Sequence, residues 1–146
     1  MRVAEHKKVQ DLRNPLAKMS KSSDEQGTIF LTDEPDIIRK KIMRAVTDSI
    51  SGIRIDSEDS DRPGIRNLIQ IYRACGGRGD MHAWDSKTLK HHSAEQVILF
   101  LAQFQNEFRR LSSSPKEVIG VLEQGEAEAL TVAKQIWQRV TEAIGL

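Results

Sequence analysis

The chain has 146 residues, with 22 lysines and arginines against 21 aspartates and glutamates, so its formal net charge is +1. This length fits one domain, or one domain with an appendage, and the near-neutral charge excludes a purely electrostatic nucleic-acid binder such as a basic tail. The longest uninterrupted apolar run covers only residues 97–102, whereas a membrane-spanning helix needs about 20 such residues.

The termini and the cysteine content narrow the class further. No signal-peptide pattern follows Met1. Cys75 is the only cysteine, which excludes an intrachain disulfide and a cysteine-based zinc site. We therefore expect a soluble cytoplasmic protein that does not enter a membrane.

Positive charge is concentrated at the start of the chain. Residues 1–21 carry six basic side chains against Glu5 and Asp11, a net charge of +4, while the rest of the chain has a net charge of −3. The segment 1–27 is polar and has no sustained helical period, so we predict a basic loop with a short strand near residues 9–12. Such a segment is either a solvated tail or one that meets phosphate groups.

The chain from residue 28 to residue 146 is predicted to be mostly helical. Residues 28–31 suit a strand or a buried connector. Pro35 suits the first turn of a helix that continues to about residue 47, and the Gly76-Gly77 pair ends a second helix. The apolar face of the first helix is predicted to contain Ile38, Ile42, Ala45 and Val46. That of the second helix is predicted to contain Ile65, Leu68, Ile69 and Tyr72.

Two capping boxes predict the starts of later helices. Ser93 with Gln96 predicts one start, and Ser114 with Glu117 predicts another. Gly125 separates a short apolar face from a last helix, which Gly145 closes. Four aromatic side chains on these apolar stripes are predicted to be core: Phe100, Phe104, Phe108 and Trp137. The fold class is therefore mainly α, a helical bundle over residues 28–146 preceded by the basic loop 1–27.

The basic loop contains the segment Lys18-Met19-Ser20-Lys21-Ser22. Two ammonium groups three residues apart, interleaved with hydroxyls, can wrap a polyphosphate, because lysines act as movable point charges and backbone amides donate hydrogen bonds. Phosphoryl and nucleotidyl transfers need such charge neutralisation. The alternatives are a solvated Ser/Lys linker or a phosphorylation site.

This pentapeptide is identical to the second signature of class I aminoacyl-tRNA synthetases, and its flanks resemble the tryptophanyl-tRNA synthetases. Tyrosyl enzymes are the nearest relatives, but the Pro63-Gly64-Ile65 block and the Ile144-Gly145-Leu146 ending fit the tryptophanyl branch better. Other segments that are similar to family blocks, in order and spacing, are 11–17, 29–35, 38–42, 45–49 and 62–72.

The resemblance also implies what this chain does not contain. Members of the family are more than twice as long, and their amino-terminal half is a Rossmann-type domain with the HIGH-type signature, the tryptophan pocket and most of the dimer interface. No such signature occurs here, since His91-His92 lacks the glycine and the strand–turn–helix context. The chain therefore resembles a carboxyl-terminal fragment that lacks the Rossmann half. The alternative is a free-standing helical RNA- or protein-binding module derived from a synthetase.

The resemblance implies a chemical role for each residue of the signature. Lys18 and Lys21 would contact the triphosphate of ATP, and Lys21 would stabilise charge in the transition state. Ser20 and Ser22 would donate to phosphate oxygens or hold the loop's shape, and Met19 would pack the loop against the body. Mg²⁺ would arrive with ATP, tRNA(Trp) and the missing half would be the partners, and the full enzyme would be a homodimer.

Candidates for tRNA contact are basic residues and one aromatic residue. Arg39, Lys40 and Arg44, together with Lys41, occupy polar positions of the first helix. Trp84 follows a Gly-rich loop and belongs to no apolar stripe, so its ring could stack on an unpaired base. No metal site is predicted, because the histidines and Cys75 do not have metal-ligand spacing.

Overall fold

The computed structural model describes residues 8–22, 24–50, 52–53 and 62–145, and helices dominate them. The helices are α1 (Pro35–Met43), α2 (Pro63–Ala74), α3 (Ser86–Ser112) and α4 (Pro115–Ile144). The prediction of a mainly helical fold is confirmed. In the described ranges the strands considered near residues 9–12 and 28–31 are absent, and the pairing that exists is an isolated antiparallel bridge between Gln10 and Lys18.

The chain divides into two compact units, Met1–Gln105 and Asn106–Leu146. The first unit has a core to which α1, α2 and α3 contribute Ile38, Leu68 and Leu89, respectively. Leu12 of the amino-terminal loop is also buried in this core. The loop is therefore packed against the helices at this point. Burial of one leucine side chain stabilises such packing by roughly 1.5–3 kcal/mol.

Helix α1 begins as predicted and ends earlier than predicted. Pro35 occupies its first turn, where a missing N–H costs nothing. The helix ends at Met43 rather than near residue 47, because the backbone N–H of Val46 donates to the carbonyl of Leu12 at 2.8 Å instead of to its own helix. Ala45 is buried as predicted, whereas Val46 is exposed.

Helix α2 matches its prediction closely. The four apolar positions predicted for its inner face are all buried. The glycine pair ends the helix as predicted: Gly76 has φ +90°, a conformation that side chains other than glycine avoid. A Cβ atom on Gly77 would lie 2.5 Å from the ring of Tyr72, so this glycine lets the chain pass directly over the tyrosine.

The predicted start of α3 at Ser93 is wrong. The helix begins at Ser86, and Ser93 lies fully buried inside it, where its hydroxyl donates to the carbonyl of Leu68 at 3.4 Å. The cap is Asp85, whose carboxylate accepts the N–H of Thr88 at 2.7 Å. Hydrogen bonds from the side chain of Thr88 and from this N–H lower the pKa of Asp85.

The predicted burial of the three phenylalanines on α3 is also wrong, since Phe100, Phe104 and Phe108 are 56%, 44% and 49% exposed. The buried row of the helix instead consists of positions spaced by four residues: Leu89, Ser93, Val97, Leu101 and Gln105. The phenylalanines follow the same spacing one position earlier, about 100° around the helix. The apolar stripe is therefore wider than the surface that the core covers.

The second unit consists of the end of α3 and the whole of α4. Helix α4 is continuous through Gly125, so the predicted break between two helices at this glycine is wrong, and no residue of α4 is buried. Trp137 is 67% exposed, so its predicted place in the core is wrong. Gly145, with φ +76°, closes the helix as predicted. Ser114 makes no side-chain cap hydrogen bond, and the predicted capping box is not formed.

Between α1 and α2, an arginine organises the described part of the connecting loop. Arg62 is buried and donates to both carboxylate oxygens of Asp48 at 2.9 Å and to the carbonyls of Ile50 and Gly52. The guanidinium group lowers the pKa of Asp48 through these hydrogen bonds. Across the described ranges, no helix has the length and apolar composition needed to cross a membrane.

Candidate functional site

The backbone of the Lys18–Ser22 segment is held on both sides by residues outside it. On its approach side, Lys18 is paired with Gln10, and the N–H of Met19 donates to the carbonyl of Val9 at 3.0 Å. On its exit side, the hydroxyl of Thr28 donates to the carbonyl of Ser20 at 2.9 Å. The segment is therefore the tip of a closed loop with a defined base, which we call the phosphate loop.

Side chains of the phosphate loop divide into anchors and free charges. Met19 is partly buried and packs against the core, which is the packing role predicted for it. The hydroxyl oxygen of Ser20 accepts the N–H of Ser22 at 3.4 Å. Lys18 and Lys21 are exposed, so their ammonium groups are accessible to an anion while the backbone beneath them is fixed. Two cations on a fixed loop suit a polyphosphate ligand.

Asp11 sits at the base of the phosphate loop and is not among the predicted site residues. Asp11 is 4% exposed, and its carboxylate oxygen Oδ1 accepts the N–H groups of Arg13 and Asn14 at 2.7 and 2.9 Å. The N–H of Leu12 donates to the carbonyl of Gly27 at 2.9 Å, which brings together the approach segment (residues 9–12) and the exit segment (residues 26–28). An aspartate three residues before Asn14-Pro15 is a turn signal that could have revealed this role.

Gly27 is required by that close approach. A Cβ atom at this position would lie 2.1 Å from Oδ1 of Asp11, far inside van der Waals contact. Only glycine lets the exit segment lie directly against the buried carboxylate. The base of the phosphate loop is thus built from an acidic turn and a glycine in contact with it.

Among the predicted tRNA-binding residues, Arg39 is engaged in ion pairs. Its Nε atom lies 2.7 Å from Glu95 of α3, and its Nη1 atom lies 2.9 Å from Asp36. The guanidinium group lowers the pKa of Glu95, chiefly by donating hydrogen bonds to its carboxylate. Arg39 therefore links α1 to α3, and its charge is already partly balanced.

Lys41 departs from the polar face predicted for it. It is 5% exposed, its Nζ atom lies 2.6 Å from Asp33, and the same ammonium group sits 4.8 Å from the centre of the Phe30 ring. Asp33 also accepts the N–H of Phe30 at 2.9 Å. The side chain is consequently part of the interior, and it belongs to neither the phosphate loop nor the accessible basic surface.

Lys40 of α1 and Arg44, the residue directly after the helix, are exposed, as Arg39 is. Lys40 lines an open cavity of about 400 Å³, together with Gln26 from the exit of the phosphate loop and the apolar side chains of Phe30 and Ile37. The acidic residues Glu25 and Asp33 line the same cavity, and so does Lys41, whose ammonium group is the one that lies over the Phe30 ring. The structure thus places one predicted tRNA-binding residue next to the exit segment of the loop.

Trp84 is a half-buried member of an aromatic cluster. The ring of His92 stacks on it with centroids 4.3 Å apart and an interplanar angle of 17°, and Tyr72 contacts its edge at 5.5 Å. The hydroxyl of Tyr72 in turn donates to the carbonyl of Arg78 at 2.9 Å. One face of the indole is therefore covered by His92, and the cluster holds the loop before α3 against α2.

In the described part of the chain, no group of three histidine, cysteine, aspartate or glutamate side chains is close enough to hold a metal ion. Cys75 is partly buried, and burial raises the pKa of its thiol. A thiol with a raised pKa carries little thiolate, which is the reactive form. The accessible lysines of the phosphate loop remain the best candidates for a chemical role.

The chain is similar to known proteins of one family. The family model for tRNA synthetases class I (W and Y) matches residues 5–105. Tryptophan–tRNA ligase 1 of Streptomyces coelicolor is 39% identical over 144 residues, covering 95% of this chain and 42% of that protein. The tryptophan–tRNA ligase of Caldanaerobacter subterraneus is 40% identical over 146 residues, covering 95% of this chain and 43% of that protein.

A solved structure supports the same relationship. The tryptophanyl-tRNA synthetase from Mycoplasma pneumoniae matches with a TM-score of 0.74 and 28% identity, covering 95% of this chain and 44% of that one. The chain thus spans 42–43% of the length of these two sequence relatives, and what it matches is a carboxyl-terminal portion. From the match over residues 5–105, we conclude that this chain belongs to the W and Y family of class I tRNA synthetases.

Proposed function

We propose that this chain is the carboxyl-terminal part of a tryptophan–tRNA ligase and supplies its phosphate loop and a helical surface for tRNA(Trp). In the complete enzyme, the carboxylate of tryptophan attacks the α-phosphate of ATP, which forms tryptophanyl-adenylate and releases pyrophosphate. The tryptophanyl group then passes to the 3′ end of the tRNA. The observation that carries this proposal is the pair of exposed lysines, Lys18 and Lys21, on a loop whose base is fixed.

Each residue of the phosphate loop has a role in this reaction. Lys18 and Lys21 contact the triphosphate, and Lys21 neutralises the charge that builds up as pyrophosphate departs. Ser20 and Ser22 donate to phosphate oxygens or hold the loop's shape. Met19 keeps the loop against the core, as its packing suggests. Mg²⁺ enters with ATP, whose phosphate oxygens are its main ligands.

The remaining parts of the enzyme come from the portion that the relatives have in addition. We assign the Rossmann half, its HIGH-type signature and the tryptophan pocket to that portion. The same portion carries the contacts of a homodimer. Without it, the chain has lysines for the phosphates of ATP but no pocket for tryptophan, and we expect it to be inactive alone.

The test is to restore activity by adding the missing half in trans. The chain would be mixed with the separately produced amino-terminal portion of the Streptomyces coelicolor relative, and tryptophan-dependent exchange of pyrophosphate into ATP would be measured. Lys21→Ala should lower exchange at least about tenfold, because transition-state charge is left unbalanced. Lys134→Ala, an exposed lysine on α4, is the matched control and should leave exchange unchanged. Equal exchange in both variants would reject the role of Lys21.

The tRNA surface is assigned to Lys40 and Arg44 first; both are exposed, as Arg39 is. Arg39 and Trp84 contribute less, since the arginine is paired with Glu95 and one indole face is covered by His92. Phosphate contacts make RNA affinity fall with salt. A Lys40→Ala/Arg44→Ala variant should therefore bind tRNA(Trp) more weakly and with a shallower salt dependence. An unchanged affinity would remove these residues from the tRNA surface.

The free-standing binding module remains the second candidate, and the self-contained core of the first unit favours it. The two proposals differ in one outcome. A module binds RNA or a protein on its own and gains no exchange activity when the amino-terminal portion is added. A ligase part gains exchange activity, and this gain depends on Lys21.

A further inference from the structure

A buried amide in α2 grips the approach segment of the phosphate loop. Asn67 is 2% exposed. Its Nδ2 group donates to the carbonyl of Gln10 at 2.9 Å, and its Oδ1 atom accepts the N–H of Gln10 at 3.0 Å. Both backbone groups of one residue are thus bound by one side chain that lies 57 positions away in the sequence.

These two hydrogen bonds act on Lys18 through one backbone pairing. Gln10 stands opposite Lys18 in the antiparallel bridge, and the next pairing joins the N–H of Met19 to the carbonyl of Val9 at 3.0 Å. A shift of the approach segment by one residue would put Val9 or Asp11 in front of Asn67 and would move Lys18 with it. The amide therefore fixes the register of the loop as well as its place.

Packing alone does not explain an amide at this position. Its neighbours on the inner face of α2, Ile65 and Leu68, are apolar and fully buried. An apolar side chain would pack there but would leave the N–H and carbonyl of Gln10 without their partner, which costs free energy for each group that stays buried. A carboxamide matches the donor and acceptor of one residue's backbone and so selects that residue.

We infer that Asn67 is a positioning residue for the phosphate loop, which holds Lys18 and Lys21 in one register relative to α2 so that both can meet a polyphosphate. This inference rests on the proposed phosphate-binding function of the loop. Asn67 is 2% exposed, so its amide is not accessible to a phosphate ligand. It acts through the backbone of Gln10, and its loss would leave the two lysines present but misplaced.

Gln105 provides a matched control elsewhere in the first unit. It is also a buried amide, 7% exposed, and its Nε2 group donates to the carbonyls of Leu31 and Asp33 at 2.9 Å. Its partners lie outside the phosphate loop. Replacing either amide by leucine removes two hydrogen bonds from a buried side chain, but only the change at Asn67 should alter the loop.

The experiment measures binding of inorganic tripolyphosphate to the 146-residue chain and hydrogen exchange of the Met19 amide. Asn67→Leu should weaken binding by about fivefold or more and speed exchange at Met19, because two hydrogen bonds are lost. Gln105→Leu should change binding by less than about twofold, since its hydrogen bonds lie elsewhere. Faster exchange with unchanged binding would overturn the inference, and so would unchanged exchange.

Asn67→Asp adds a test in which the hydrogen-bond pattern is switched by pH. Burial and the facing carbonyl of Gln10 raise the pKa of the introduced carboxyl group. When charged, it repels that carbonyl. When protonated, its O–H donates to the carbonyl and its other oxygen accepts the N–H, as the native amide does. The ratio of the variant's dissociation constant to that of the unmodified chain should therefore fall towards one as the pH is lowered.

Taking this ratio at each pH cancels the titration of tripolyphosphate and of groups shared by both chains. A ratio above one that stays constant with pH would overturn the inference. Two other results would instead overturn the phosphate-loop function on which the inference rests. One is that the unmodified chain does not bind tripolyphosphate, and the other is that a Lys18→Ala/Lys21→Ala variant binds it as tightly as the unmodified chain. The two failures are thereby distinguished.

Discussion

The two compact units have apolar side chains in comparable supply but use them differently. In Met1–Gln105, residues such as Leu68 and Leu89 are buried in a shared core, whereas every residue of α4 in Asn106–Leu146 remains accessible. The second unit is held by helical hydrogen bonds and by the ion pairs of Arg110 with Glu107 and Glu117. An amphipathic pattern therefore predicts a helix in both units, but it does not predict whether the apolar face is covered.

The largest expected effect comes from truncating one leucine in each unit. Leu68→Ala should lower the free energy of unfolding by about 2–5 kcal/mol, because it leaves a cavity in the core. Leu122→Ala, at a side chain that is 66% exposed, should change it by less than about 0.5 kcal/mol. Urea denaturation followed by circular dichroism measures both. Equal losses would show that α4 is covered in solution and would break the comparison.

Glycine-to-alanine substitutions should change the free energy of unfolding in opposite directions in the two units. At Gly27 the new Cβ meets the buried carboxylate of Asp11, so Gly27→Ala should destabilise the chain by about 1–3 kcal/mol. At Gly125 nothing lies within 4 Å of the new atom, and the helix gains about 0.5–1 kcal/mol from a better helix former. Thermal unfolding of the two variants gives the signs directly. Destabilisation by Gly125→Ala would indicate a close neighbour of α4.

A smaller difference between the two units should appear in the pH dependence of the free energy of unfolding. Arg62 lowers the pKa of Asp48, so the pair stabilises the fold above the pKa of the unfolded aspartate, near 4, and this contribution is lost as the pH falls through the lower folded value. Asp48→Asn should cost about 1 kcal/mol or less near neutral pH. The difference from the unmodified chain should shrink in acid.

The matched comparison for this prediction lies in the second unit. Glu117 also has a lowered pKa because Arg110 donates hydrogen bonds to it, but both side chains are accessible to water. Solvent screens such a pair, and Glu117→Gln should give no resolved change in unfolding at any pH. A pH dependence in Glu117→Gln as large as that in Asp48→Asn would contradict the distinction between a partly buried pair and an exposed one.

Local patterns predicted much of the fold because they depend on neighbours in the sequence. The inner face of α2 and the glycine stops at Gly76 and Gly145 were of this kind. The start of α3 was missed because Ser93 and Gln96 imitate a capping box, while the true cap, Asp85, stands before a polar first turn. Burial of Phe104 could not be read from periodicity, which gives the direction of a side chain but not the extent of the surface opposite it.

The candidate site was predictable in its charges and unpredictable in its support. The residue type and spacing of Lys18 and Lys21 indicate a phosphate-binding role, and the resemblance to the synthetase family implies a role for each of them. The residues that hold the loop are distant in sequence: Asn67 meets Gln10 across 57 positions, and Thr28 meets Ser20 across eight. No local sequence pattern links either pair, so only the folded chain reveals these contacts.

The aromatic cluster around Trp84 has a practical consequence for following this chain in solution. Trp84 is half-buried between Tyr72 and His92, whereas Trp137 is 67% exposed on α4. These are the only two tryptophans of the chain, and they fall in different compact units. Their fluorescence emission should therefore differ in wavelength, so that Trp137→Phe leaves an optical reporter of the first unit alone and Trp84→Phe leaves one of the second.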